Sequence, residues 1–313
     1  MVKMTLKDIG SLIIPRGVKP FFKKMWRDTH RWKVNHFSLH IQKNELITGF
    51  RKLGLQKGDV IWVHGALSSF GFIEGGAETL ISALRDSVTG TGTIIMPAYP
   101  GHGGEKAYLK RNPLFDSKTT PSMVGKITDA FWRKKDSIRS IHPAHSIAAS
   151  GPLAEEITRD HEKATTEYGR DTPFFKALEA NAKVVLLGVD VQFPTFYHTF
   201  EDLRPDFPYE VYAKEKIDAR WVDDSGNIHV KSVQVHNAEL GVFRIDSPRG
   251  CGIRKIYRNE LKAKGQLKTA KIGNAKCMMF PAHALMEALD TLLSKGITIY
   301  HIPSELEETF KKN

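Results

Sequence analysis

Apolar and polar positions along the chain mark out a regular succession of short elements. In KNELITGFRKLGL (43–55) the apolar residues recur at helical spacing and Gly54 marks a stop. Val60 to His64 is a short apolar run of strand type, followed by the small-residue loop VHGALSSFGFIEGG. GGAETLISALRDSVTGTG then reads as an amphipathic helix closed by Gly90, and GTIIMPAY as a second buried strand. Strand, loop, helix and strand in that order predict a βαβ unit on a parallel sheet. Further on, KTTPSMVGKITDAFWRK predicts a helix with Thr120 as cap and Pro121 at the first helical position. IRSIHPAHSIAASG reads as strand, break and strand, PLAEEITRDH as a short helix starting at Pro152, and TPFFKALEANAK as another helix. VVLLGV (184–189) is a third buried strand. ARWVDDSGNIHVKSVQV alternates on either side of Asp224-Ser225-Gly226, which predicts a hairpin. Two helices follow, around 253–264 and 281–295.

Length and composition fit these elements into one body. The chain has 313 residues, 41% hydrophobic and 26% charged, ordinary values for a globular protein. The expected fold class is α/β: a layered α/β sandwich around a central, mostly parallel sheet, with a small β-hairpin and helical C-terminal part. The expected organisation is an arm over 1–42, a body over 43–300 and a tail over 301–313. Two cysteines far apart point to a reducing compartment, and no apolar run has the length of a membrane span or a signal peptide. A cytoplasmic protein is expected.

The formal net charge of +11 is unevenly spread. Residues 1–40 carry nine Lys and Arg against two Asp, interleaved with Phe21, Phe22, Trp26, Trp32 and Phe37. Such an arm suits a membrane surface, an anionic substrate, its own body or a second subunit. Contact with the periphery of a membrane through residues 1–40 and a homodimer both stay open. No nucleic-acid partner is expected, because no binding motif of that kind is present.

The residues that can carry chemistry are few. The loop after the first strand leaves the carboxyl end of a buried strand, where open α/β sheets bind ligands. Gly65, Ala66, Ser68 and Ser69 leave room for backbone amides to approach an anion. It is neither a Walker loop nor GxGxxG. His142 and His145, three apart around Pro143, lack the companions a zinc site needs. His64 lies at a strand end. His198 in TFYHTFED has Glu201 three residues on, so a helix puts both on one face, as a general base and its carboxylate partner require; a capped or surface histidine fits the same spacing. No serine sits in a GxSxG elbow, and nothing near Cys251 supports a nucleophile.

Several of these stretches, in this order, resemble the aminoglycoside 3-N-acetyltransferase family, antibiotic N-acetyltransferases that lack the GNAT fold. They are KGDVIWVHGALSSFGFIEGGAETLISAL, GTIIMPAY, PLFDSKTTPSMVGKITDAFWRKKDSIRSIHPAHSIAASGPLAEEIT, YGRDTPFFKALEANAKVVLLGV, PTFYHTFED and KIGNAKCMMF. The resemblance implies transfer of an acetyl group from acetyl-CoA, as co-substrate, to the amine of an amino sugar. It implies His198 as general base, Glu201 as its orienting partner or a holder of the substrate amine, and His64 at the mouth of the site. It implies a CoA wall of Leu67, Ser68 and Ser69 with Thr120, Ser122, Arg139, Ser140 and His142, and it leaves His145 as a packing residue. No metal is expected.

Two departures shape the expected acceptor. Gly65 and Ala66 stand where the family usually shows two serines, so the contacts of Gly65, Ala66 and their neighbours with CoA are held loosely. The strong positive charge disfavours a polycationic acceptor. The expected acceptor is therefore an amino sugar, carried on a nucleotide or a lipid diphosphate in polysaccharide biosynthesis. The alternatives are an aminoglycoside 3-N-acetyltransferase conferring antibiotic resistance, a non-catalytic CoA- or sugar-binding module, and an adaptor acting through its arm.

Overall fold

The computed structural model describes residues 40–101 and 104–312. Residues 1–39 lie outside the described residues, and with them nearly all of the arm and the expectations of membrane contact and dimerisation that rest on it. His40 and Ile41 already belong to the body: as β1 (His40–Ile41) they pair in parallel with Phe72 and Ile73. Gln42 then starts α1 (Lys43–Leu53) through a capping box in which its backbone N–H donates to Glu45 Oε2 at 2.8 Å. Gly54, at φ 107°, ends that helix in the left-handed region glycine favours.

The predicted βαβ unit is present as β2 (Val60–Gly65), α2 (Gly76–Val88) and β4 (Thr93–Pro97), with the two-residue β3 (Phe72–Ile73) on the way. The chain continues through α3 (Glu105–Leu109), β5 (Leu114–Phe115), α4 (Lys126–Trp132), β6 (Ile138–Arg139), β7 (Ile147–Ser150), α5 (Ala154–Thr158) and α6 (Pro173–Glu179). It then forms β8 (Lys183–Leu187), α7 (Phe196–Asp202) and the hairpin β9 (Tyr212–Val222) and β10 (Ile228–His236). The last elements are α8 (Ala238–Gly241), α9 (Cys251–Ala263), β11 (Lys268–Ile272), β12 (Ala275–Pro281), α10 (Ala282–Leu293) and α11 (Ser304–Phe310).

Seven strands form the central sheet in the order β11-β12-β8-β2-β4-β7-β6. Its middle, β8-β2-β4, is parallel; the flanks are antiparallel. Alternation along the strands gives the sheet two apolar faces. Ile61, Val63, Val185 and Leu187 meet α1, α2 and α4 on one side. Trp62, Val184, Leu186 and Phe280 meet α5, α6, α7, α9 and α10 on the other. This is the expected α/β sandwich. A second sheet, β10-β9-β5, lies beside it with Ala144 of the β6–β7 turn in a shared cluster with Ala219 and Val235.

One predicted element is misplaced. The helix expected from Thr120 and Pro121 begins only at Lys126, after Gly125 at φ 150°. Thr120 Oγ1 instead accepts from the Asp116 N–H at 2.9 Å, and the Met123 N–H donates to the Tyr99 carbonyl at 2.8 Å. Residues 120–125 are therefore a wall segment laid along the end of β4. The helix read from Pro152 likewise starts later, at Ala154.

Phe174 links the sheet to the cleft described below. It is fully buried, with its ring 5.1 Å from Trp62 and 4.8 Å from Tyr168. Phe174→Ala removes those contacts and leaves a cavity, so it should lower the unfolding free energy by about 3–5 kcal/mol in urea titrations; a loss under about 1 kcal/mol would contradict this packing.

Candidate active site

The short helix α7 is held at three points. Tyr99 Oη and Thr195 Oγ1 are 2.9 Å apart, the Tyr197 hydroxyl donates to the Val191 carbonyl, and the Phe196 ring meets Trp62 edge-on at 5.0 Å. One turn of helix then puts His198 and Glu201 on one face, as their spacing predicts. His198 Nδ1 lies 2.7 Å from Glu201 Oε2, and both residues are buried. Burial alone would push the Glu201 carboxyl up; the charges and hydrogen bonds of His198 and His236 outweigh it and hold the group at about 2. Glu201 is thus an anion at neutral pH, which places the imidazole proton on Nδ1 and leaves the Nε2 lone pair directed away from it.

Residues remote in sequence complete the surroundings. His236, at the end of β10, stacks obliquely on His198 with ring centres 4.3 Å apart, and its Nε2 is 3.8 Å from Glu201 Oε2. The Tyr168 ring sits about equally far from His145 (5.0 Å), His198 (5.0 Å) and His236 (5.1 Å). Arg244 grips Asp246 through Nε and Nη2 at 2.8 and 2.9 Å, and its Nη1–H donates to His198 Nε2 at 3.2 Å. These groups line a cleft of about 830 Å³, together with Tyr99, Glu105 and the ring of His145.

The expected CoA wall is not gathered at this cleft. His64 is turned back toward the core, where its Nε2 accepts from the Trp62 indole N–H at 3.0 Å, and burial drops its imidazole to about 3. It lies outside the cleft lining. The loop of Gly65, Ala66, Leu67, Ser68 and Ser69 spends much of its polarity on itself. The Ala66 N–H donates to the Leu187 carbonyl at 3.0 Å, and the Ser69 N–H and hydroxyl both donate to the Ala66 carbonyl, at 3.0 and 2.6 Å. Gly65 has a packing reason to be glycine: a Cβ there would fall 3.0 Å from Ile127 Cδ1 and 3.1 Å from Leu187 Cβ.

Arg139 and Ser140 are both engaged within the protein. Arg139 is buried, its Nε donates to Ser146 Oγ at 3.1 Å, and its two terminal nitrogens donate to the Thr120 and Ala98 carbonyls. Its guanidinium lies 5.0 Å from the Phe115 ring and 4.7 Å from Trp132. Each of its three nitrogens makes one hydrogen bond, and together they clamp the wall segment. Ser140 Oγ accepts from the Ile147 N–H at 2.8 Å and sits 2.9 Å from His161 Nδ1, fully inside the protein. His142 Nδ1 accepts the His145 N–H at 2.9 Å, which shapes the turn, and its ring stacks on His161 at 4.5 Å. Ser122 is buried and Thr120 half-buried in the wall segment. His145, taken from sequence as packing, faces the cleft.

A mixed sheet thus carries a buried His–Glu pair beside a cleft. Residues 62–294 match the family model for aminoglycoside 3-N-acetyltransferase, and the chain belongs to that family. It is an acyltransferase whose co-substrate is acetyl-CoA. Among curated proteins it is 29% identical to aminoglycoside N(3)-acetyltransferase III of Salmonella sp over 82% of this chain and 92% of that protein. It is 30% identical to the aminoglycoside N(3')-acetyltransferase-like protein YokD of Bacillus subtilis (strain 168), over 79% of this chain and 89% of that protein. Among solved structures, AAC-IIIb in a binary complex with CoASH superposes with a TM-score of 0.71 at 26% identity, covering 85% of this chain and 100% of that one. A mutant of aminoglycoside acetyltransferase AAC(3)-IVa in complex with a gentamicin gives 0.70 at 25% identity, covering 86% and 95%. No helix among the described residues is long and apolar enough to cross a membrane.

The buried histidines make folding acid-sensitive. Burial lowers His64 and His142 to about 3, and lowers His145 and His161 well below their usual range. Between their unfolded value of about 6.5 and about 3, the unfolded chain binds protons that the folded chain refuses, so stability falls as pH falls through that window. Glu167, pushed up by burial and by Glu105, acts in the opposite sense but is one group against four. Thermal unfolding should therefore hold steady from pH 8 to about 7 and drop steeply toward pH 5; a flat midpoint over that range would contradict the neutral burial of these rings.

Proposed function

We propose that this protein transfers the acetyl group of acetyl-CoA to a primary amine of an aminoglycoside-type amino sugar, with His198 as general base. The observation that carries the reading is the buried bond from His198 Nδ1 to Glu201, which leaves Nε2 as the basic atom. The acceptor amine is protonated at neutral pH and must become neutral to attack. In transfer, Nε2 takes one proton from the ammonium, the neutral amine nitrogen bonds to the thioester carbon, the C–S bond breaks, and the nitrogen's second proton goes to the leaving sulfur, so that CoA departs as its thiol. Glu201 stays ionised and stabilises the imidazolium. Arg244 occupies Nε2 in the free protein, so the entering amine takes over that position while Asp246 keeps the guanidinium nearby.

The acceptor follows from charge at the cleft rather than over the chain. The net charge favoured a nucleotide- or lipid-linked sugar. Yet the basic residues of the cleft are engaged: Lys106 and Lys110 share Glu215 at 2.8 and 3.0 Å, and Arg244 pairs with Asp246. The carboxyl groups of Glu105, on the cleft wall, and of Glu167 behind it have no such cation. An acceptor ammonium can thus pair with Glu105 on the cleft wall, in keeping with the relatives named for aminoglycosides. For the CoA side, the exposed Ser68 and the wall segment with Thr120 and Ser122, tied to Tyr99 at the cleft rim, support a cofactor path along that edge.

The test is CoA release, followed with a thiol reagent, across aminoglycosides, free amino sugars and nucleotide amino sugars. Aminoglycosides should turn over best, and His198→Ala should lower kcat by about 10²- to 10⁴-fold. A preference for nucleotide amino sugars would overturn the acceptor, and an unchanged rate in His198→Ala would overturn the base.

A further inference from the structure

Beyond the base and its partner, three ligand-type atoms in and behind the cleft wall are turned toward one another. Glu105 Oε1, His145 Nδ1 and Glu167 Oε1 are each buried and without a hydrogen-bond partner. His145 Nδ1 lies 3.8 Å from Glu105 Oε1 and 3.7 Å from Glu167 Oε1, and the three atoms lie within 4.8 Å of one another. The side chains are 10%, 10% and 5% exposed, so water does not provide the missing partners freely. Two carboxyl groups held this close away from water compete for ionisation, so the Glu167 carboxyl is pushed up, and a cation among the three groups would relieve that cost.

We propose that Glu105, His145 and Glu167 bind a divalent transition-metal ion of the Zn²⁺ or Co²⁺ type on the inner wall of the cleft. An ion equidistant from atoms spaced in this way would be roughly 2 Å from each, the range of Zn–N and Zn–O bonds. One nitrogen and two oxygens suit such an ion, and the cleft side leaves a position for water. The ligands are held in place by their other atoms. The His236 N–H donates to Glu105 Oε2 at 3.3 Å, and His236 Nδ1 lies 3.3 Å from Glu167 Oε2, so one residue orients both carboxylates. Tyr99 meets the His145 ring edge-on at 5.2 Å. The neighbouring cluster of His198, Glu201 and His236 is a poorer host, because its 2.7 Å bond already joins two of the three. The ion would take up Glu105, which the proposed function leaves open to the acceptor ammonium, so ion and ammonium compete there, and no step of acetyl transfer passes through the ion.

The full chain, stripped with EDTA, is titrated with ZnCl₂ by calorimetry and with CoCl₂ by visible absorption. One ion per chain should bind, with Co²⁺ bands of a low-coordinate nitrogen–oxygen site. Glu105→Gln, which keeps the side-chain shape, and His145→Ala should each weaken binding more than about tenfold, with circular dichroism confirming the fold, while His198→Ala should retain it. Absence of stoichiometric binding would overturn the site. So would binding that survives Glu105→Gln in a folded protein, or that is lost in His198→Ala.

Discussion

The 2.7 Å bond between His198 Nδ1 and Glu201 Oε2 sets how the other groups of the cleft are used. Two partners buried in low dielectric hold each other in one tautomer and one orientation. From that bond follow the free lone pair at Nε2, the approach of Arg244 to it, and the packing of His236 against the same carboxylate. The fold serves the bond by immobilising α7. Trp62, at the centre of the parallel strands, presses on Phe196; Phe174 carries the same core out to Tyr168.

Cations inside the body are handled one by one. Arg139 bonds two carbonyls and a hydroxyl and lies against the rings of Phe115 and Trp132, fixing the segment of Thr120 to Gly125 against β4. Arg244 is paired with Asp246 and also donates an N–H to His198 Nε2. The +11 of the whole chain therefore says little about the cleft. Surface charge steers encounter over a Debye length; what a ligand meets inside is set by the few groups within contact distance.

Much of the fold was legible in the sequence because its signals are local. Apolar runs gave the strands Val60–Gly65, Thr93–Pro97 and Lys183–Leu187, and Asp224-Ser225-Gly226 gave the hairpin turn. The His198–Glu201 pair was legible for the same reason, being three residues apart on one helical turn. His236, Tyr168, Arg244, Glu105 and Glu167 were not, because each comes from a separate element and carries no spacing signal toward His198. The helix start at Thr120-Pro121 failed for a related reason. Those residues satisfy the local rule for a cap, but tertiary bonds from Tyr99 and Arg139 hold the backbone extended until Gly125. The clamp made by Arg139 was not legible either, because residue type alone cannot tell a cation facing solvent from one bonded to carbonyls.

The most direct measurement is the ¹⁵N resonance pattern of the His198 imidazole in the free enzyme at neutral pH. A proton on Nδ1 with an unprotonated Nε2, reverting toward a mixture of tautomers in Glu201→Gln, is the result expected if the carboxylate prepares the ring to accept the amine proton. A ring protonated at Nε2, or one indifferent to Glu201→Gln, would contradict His198 as the base.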